Sequence, residues 1–224
     1  MKSFSQYERY LKEKISVLRG IIFDCDGVLI NSRDSNVRYY NMIKERLGLP
    51  PMSKEEEDFV HTHTVLESIR FIVPQERYEE AVEISRTIPY KEVLKLIKLE
   101  DGLIEFLDLL KDINIKMAVN TNRTTTMGLI LEKFNLKGYF DPVITADKLT
   151  NPKPHPESVN LILTYWKLKP DEVVYIGDSE VDEKTAKNAN VDFWSYKNFF
   201  LKANLYIPDY DTLSNRFQKL RSNS

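Results

Sequence analysis

The chain has 224 residues, 42% of them hydrophobic, with 32 Lys plus Arg set against 34 Asp plus Glu. That length and balance describe a folded protein with a sizeable core, either one large domain or a domain with a smaller insert, and exclude a disordered chain. A formal net charge of −2 supplies no field that would draw nucleic acid or an acidic membrane surface, so neither is an expected partner.

The single cysteine cannot form an internal disulfide, the first residues lack the apolar core of a signal peptide, and no run approaches the ~18 apolar residues of a membrane span. A reducing, cytoplasmic setting is the expectation, and nothing in the sequence demands more than a monomer.

Phe4, Tyr7, Leu11, Ile15 and Leu18 recur at helical spacing and predict an amphipathic helix that packs on the core. After the break at Gly20, Ile21-Ile22-Phe23 reads as a buried strand running out into the turn Asp24-Cys25-Asp26-Gly27-Val28. If the strand geometry persists through that pair, Asp24 and Asp26 share one side and Cys25 takes the other. Two close carboxylates repel in a dry site, so the arrangement calls for a cation or for a proton on one of them.

The next stretch is helical. Tyr39, Tyr40, Ile43 and Leu47 share a face, Gly48-Leu49-Pro50-Pro51 ends it, and Ser53 with Glu56 resembles a capping box opening the next helix. Helical patterns follow over 65–72 and 76–99, punctuated by Pro74 and Pro89, so residues 34–98 read as an all-helical insert in a core made of 1–33 and 99–224.

From Glu105 strands and helices alternate: a helix around Phe106–Leu110, a strand over 115–119 that delivers Thr121 and Asn122, a helix over 127–134, a strand over 141–144 and a helix over 156–166. A strong strand at 173–176 ends in Gly177-Asp178-Ser179-Glu180-Val181-Asp182, followed by a helix over 183–190, strands at 192–196 and 205–207, and a helix over 212–220. This alternation predicts an α/β fold with a doubly wound parallel sheet covered on both faces. All three polar turns would then lie beyond the carboxyl ends of the strands, where such sheets bind ligands.

Between the second and third turns, Asn151-Pro152-Lys153-Pro154-His155-Pro156 holds a lysine in a rigid turn. Carboxylates, a hydroxyl and one fixed cation suit a hard metal and a phosphate: Mg2+ takes oxygen ligands, and a lysine can bear the remaining phosphate charge.

In order, Asp24-Cys25-Asp26-Gly27-Val28, Thr121-Asn122, Lys153-Pro154 and Gly177-Asp178-Ser179-x-x-Asp182 resemble the four-motif pattern of the haloacid dehalogenase superfamily. The helical insert after the first motif resembles its subclass with a helical cap domain on a Rossmann-like core, which includes phosphoglycolate phosphatase-like and beta-phosphoglucomutase-like enzymes. The resemblance implies that Asp24 is the nucleophile, forming an aspartyl-phosphate, and that Asp26 is the general acid and then the base. It further implies that Thr121, Asn122 and Lys153 hold the phosphoryl group and that Asp24, Asp26, Asp178 and Asp182 bind or orient Mg2+. His61, Thr62 and His63 fall in the segment that resembles the cap loop facing the site, and are candidate specificity residues. The expected activity is hydrolysis of a small soluble phosphomonoester. The alternatives are a phosphomutase and a non-catalytic phosphate-binding or regulatory member; a dehalogenase fits less well, because those relatives lack the second aspartate.

Two departures from the pattern stand out. Asn31-Ser32 replaces the common Asp-Ser, and Asn188-Ala189-Asn190 replaces an Ala-Gly helix end, where Asn tolerates the left-handed turn. The bland readings differ by residue. Asp24 and Asp26 fail as a calcium loop because Val28 occupies a ligand position. Cys25, flanked by carboxylates, reads as a packing residue. His61 and His63 could be zinc ligands, but two histidines without further partners are slight evidence for such a site, and His155 between two prolines shapes its turn.

Overall fold

In the computed structural model, which describes residues 4–222, helix α1 (Phe4–Val17) leads into strand β1 (Gly20–Phe23). The side chains of Phe4 and Thr62 lie outside the described residues. Beyond β1 the chain turns tightly, with the Gly27 amide bonded to the Ile30 carbonyl at 2.8 Å, into β2 (Ile30–Asn31).

Five helices follow: α2 (Arg33–Arg46), α3 (Lys54–Thr62), α4 (Val65–Ile72), α5 (Tyr78–Thr87) and α6 (Tyr90–Leu94). Capping boxes open two of them, Ser53 with Glu56 and Thr64 with Glu67. Their buried residues, among them Tyr40, Ile43, Val60, Ile69, Ala81 and Val93, form a hydrophobic cluster of their own. The chain returns through β3 (Lys98–Leu99), which pairs antiparallel with β2, Ile30 opposite Leu99. The helical run expected over 76–99 breaks at Pro89 as expected, where proline removes a backbone donor, and is corrected only at its end: the helix stops at Leu94 and Lys98–Leu99 are strand.

The remainder alternates: α7 (Leu103–Asp112), β4 (Lys116–Thr121), α8 (Met127–Lys133), β5 (Val143–Thr145), α9 (Glu157–Trp166), β6 (Val173–Gly177), α10 (Glu180–Asn188), β7 (Asp192–Tyr196), β8 (Leu205–Ile207) and α11 (Tyr210–Ser222). The six long strands form one parallel sheet in the order β5-β4-β1-β6-β7-β8. Alternate residues of β1 serve opposite faces. Ile21 and Phe23 pack in a cluster with Leu11, Phe106, Ile130 and Phe217 from α1, α7, α8 and α11, whereas Ile22 packs with Val159, Ile162 and Ala186 from α9 and α10. The sheet is thus doubly wound, with β1 at the point where the strand order reverses, the place where open α/β sheets bind ligands.

Boundaries shift by a few residues. The strand expected over 115–119 continues through Thr121, that expected over 141–144 starts at Val143, and α10 begins at Glu180 rather than 183 because Ser179 and Asp182 close a capping box around its first turn. Asn190 takes the left-handed conformation, φ 56°, at the helix end.

Candidate active site

Asp24 is the first residue past β1, and its amide still bonds to the Ile176 carbonyl at 2.9 Å, so the adjacent strand fixes where the carboxylate emerges. Thr121 ends β4, and Asp178 follows β6 directly. Because these strands are neighbours in register, three turns distant in sequence deliver their side chains to one spot. Two glycines permit the approach. A Cβ on Gly27, whose φ is +75°, would lie 2.0 Å from Asp178 Oδ2, and a Cβ on Gly177 would lie 2.3 Å from the Asp182 Cβ.

Lys153 reaches into this point and donates to Asp24 Oδ1 and to Asp182 Oδ1, both at 2.7 Å. Burial opposes its charge, but the carboxylates of Asp182 and Asp24 outweigh that and hold the amine well above its usual range. Asp182 is fully buried and satisfied. Its Oδ1 also accepts from the Tyr175 hydroxyl at 3.1 Å, and its Oδ2 accepts from Ser179 Oγ at 2.6 Å and Ser179 N at 3.2 Å. Of the two roles expected for Asp182, ligating or orienting, this bonding suits orienting Lys153 and the turn. The Asp178 carboxylate, by contrast, accepts no hydrogen bond among the described residues, while its backbone carbonyl is held by Asn198 Nδ2 at 2.8 Å.

Carboxylate oxygens of Asp24, Asp178 and Asp182 lie within 4.8 Å of one another. Burial, followed by the other carboxylates, pushes Asp178 well up. Burial likewise raises Asp24 to about 7, against the pull of Lys153. Two buried carboxylates and a half-buried one facing one ammonium are short of positive charge, which a hard divalent cation with oxygen ligands would supply. The donor set therefore fits such an ion.

Asp26 faces the same cavity from the turn. Arg123 grips it with two hydrogen bonds, Nε to Oδ2 at 2.6 Å and Nη2 to Oδ1 at 2.5 Å, and the Ser32 hydroxyl donates to Oδ1 as well. Burial alone would raise this carboxyl, but the Arg123 charge and these hydrogen bonds overcome it and hold it below the usual range. Arg123 Nη1 in turn reaches the hydroxyl of Tyr90 on α6. Neither Arg123 nor Ser32 was assigned a role from sequence. The available signal for Arg123 was a cation placed directly after Thr121-Asn122 at a strand end, opposite a carboxylate pair.

Thr121 is buried, with its Oγ1 accepting from the Arg123 amide at 3.1 Å, and Asn122 lines the cavity with a buried Oδ1 that has no partner among the described residues. His61 and His63 also line it. His61 Nδ1 lies 3.2 Å from Asn36 Nδ2, and burial, aided by Arg33 and Arg123, lowers its pKa, so it faces the cavity neutral. Cys25 is fully buried in the core, its thiol pushed well up by burial and by Asp26, in keeping with a packing role. His155 stays at the surface of its turn, its Nδ1 accepting from the Glu157 amide at 3.3 Å. Among the described residues no helix is long and apolar enough to cross a membrane.

The family model described as haloacid dehalogenase-like hydrolase matches residues 21–195. A phosphoglycolate phosphatase of Rhodobacter capsulatus is 30% identical over 192 residues, 83% of this chain and 87% of that protein. The pyrophosphatase PpaX of Bacillus velezensis is 27% identical over 197 residues, 85% and 89% of the two chains. Among solved structures, a HAD-superfamily hydrolase of subfamily IA, variant 1, from Geobacter sulfurreducens superposes with a TM-score of 0.75 at 36% identity, covering 90% of this chain and 97% of its own.

Proposed function

Since the chain belongs to the haloacid dehalogenase-like hydrolase family and is a phosphoric monoester hydrolase, we propose that it is a Mg2+-dependent phosphatase that works through an aspartyl-phosphate on Asp24. The observation that carries this reading is the convergence of Asp24, Asp178, Asp182 and Lys153 at the switch point of the sheet.

Lys153 and Thr121, with Asn122 beside them, would hold the phosphoryl oxygens. Asp24 attacks phosphorus and forms a new O–P bond as the bond to the leaving oxygen breaks, and Asp26 supplies the proton that oxygen takes up. In the second half Asp26 takes a proton from water, which attacks phosphorus and frees Asp24 and inorganic phosphate. Its pairing with Arg123 and Ser32 is the ionised, base form, so Asp26 must take up a proton from solvent before the first half in order to act as the acid. Asp24 and Asp178 would hold Mg2+, with Asp182 orienting Lys153 behind them; the ion supplies charge neutralisation of the phosphoryl group. The five helices α2–α6 form the cap that excludes bulk water from the cavity.

The test is phosphate release across a panel of small phosphate esters, with Mg2+ and with chelator. Release that requires the metal is expected, and equal release in chelator would contradict the reading.

A further inference from the structure

The cavity above Asp24 measures about 460 Å3, within the range of about 300–1,000 Å3 that encloses drug-sized ligands. A phosphoryl group accounts only for its polar floor. The rest is walled by the helices α2–α6, and that wall is mostly hydrocarbon: Tyr39, Val60, Val65, Leu66, Val82 and Ile88.

Several polar groups of this wall are already bonded within the protein. Tyr39 donates its hydroxyl to the Ser85 carbonyl at 3.1 Å, the Tyr90 hydroxyl accepts from Arg123, His61 Nδ1 meets Asn36 and His63 Nδ1 lies 2.9 Å from the Phe59 carbonyl. What Tyr39 and Tyr90 turn toward each other is ring against ring edge, centroids 6.5 Å apart at 68°. Charge points the same way. Lys153 is held between Asp24 and Asp182, and Arg123 is held by Asp26, which leaves Arg86, exposed at the rim, as the remaining Lys or Arg of the lining among the described residues. A carboxylate or a second phosphate drawn into this chamber would lose its water and meet only that rim charge, whereas an apolar body would lose nothing by leaving water.

Resting on the phosphatase reading above, we propose that the leaving group is a neutral alcohol with an apolar, ring-sized body, rather than a carboxylate-bearing acid or a second phosphate.

The test compares kcat/KM of the full chain with Mg2+ on benzyl phosphate, phosphoglycolate and pyrophosphate. The first two both release alcohols, so their ratio reads recognition more than departure of the leaving group, and pyrophosphate reads tolerance of a second charged group. Benzyl phosphate is expected to exceed both by about tenfold or more, the scale on which apolar pockets discriminate. Val65→Lys, which puts a cation into the wall at the first turn of α4, is expected to narrow the preference over phosphoglycolate by about fivefold or more. The wild-type ratios stand even where that variant fails to fold. Phosphoglycolate or pyrophosphate turned over as well as benzyl phosphate, or better, overturns the inference and leaves the phosphatase reading intact. Turnover of none of the three by a protein that releases phosphate from another ester of the panel in a Mg2+-dependent way also overturns the inference and leaves the phosphatase reading intact.

Discussion

Asp24 carries two opposing pressures. Burial and the nearby carboxylates raise it to about 7, while Lys153, 2.7 Å away, favours its charge. A carboxyl raised in this way binds more protons folded than unfolded between the ordinary carboxylate range and about pH 7, so its contribution to stability falls as pH rises through that window. A metal ion must displace that proton. Because Asp178 is pushed up as well, Mg2+ affinity measured by calorimetry should therefore fall by about tenfold or more per pH unit below about pH 7, with proton release on binding in that range. An affinity that is flat from pH 5 to 8 would show that Asp24 is ionised throughout. Lys153→Ala removes the ammonium from between two buried carboxylates, a change that costs about 3–5 kcal/mol when a buried pair loses one partner. Denaturant unfolding without metal should show that loss at pH 8 and a smaller one at pH 5, where Asp24 holds a proton. Equal losses at both pH values would mean that the lysine acts through packing alone.

Between β6 and α10 the main chain is close enough that only glycine fits at position 177. A methyl there would sit 2.3 Å from the Asp182 Cβ, an atom fixed to the helix backbone rather than a movable tip. Gly177→Ala should push the first turn of α10 off the sheet at a cost of about 1–3 kcal/mol, and displace Asp178 and Asp182 together. The thermal midpoint and the Mg2+ affinity should both drop. A normal affinity in a destabilised protein would separate the helix position from the metal site. The strands behind these turns were legible because they are buried runs ending in polar residues, and the Ser53–Glu56 cap was legible because it is a local contact. The β2–β3 ribbon was not, since two residues per strand carry no period. Nor was the grip of Arg123 and Ser32 on Asp26: the arginine lies 97 residues away from its partner, and only the folded sheet reveals the pairing. The start of α10 was missed for a related reason, because Asp182 served two patterns, an acidic site residue and the partner of an N-cap serine.

Seen as one molecule, the parallel sheet brings three distant turns to the end of β1, and the helices α2–α6 close over them through a two-strand stem. Contacts join the two parts near the site: Tyr90 of α6 meets Arg123, and Lys133 of α8 donates to the carbonyls of Leu94 and Ile97 at 2.6 and 2.8 Å. Asp26 is thus tied to the stem by Ser32 and to α6 through Arg123, so the position of the helical part and the orientation of this carboxylate are mechanically linked. On the proposed reading, this arrangement presents Asp24 to phosphorus with its charge balanced. Its most direct test is to mix the protein with Mg2+ and a turned-over ester, quench rapidly in acid, and locate the phosphoryl group by peptide mass spectrometry. Phosphate on the peptide containing Asp24, absent in Asp24→Asn together with all turnover, is the predicted result. Turnover that persists in Asp24→Asn, or a phosphoryl group trapped on another residue, would contradict the account.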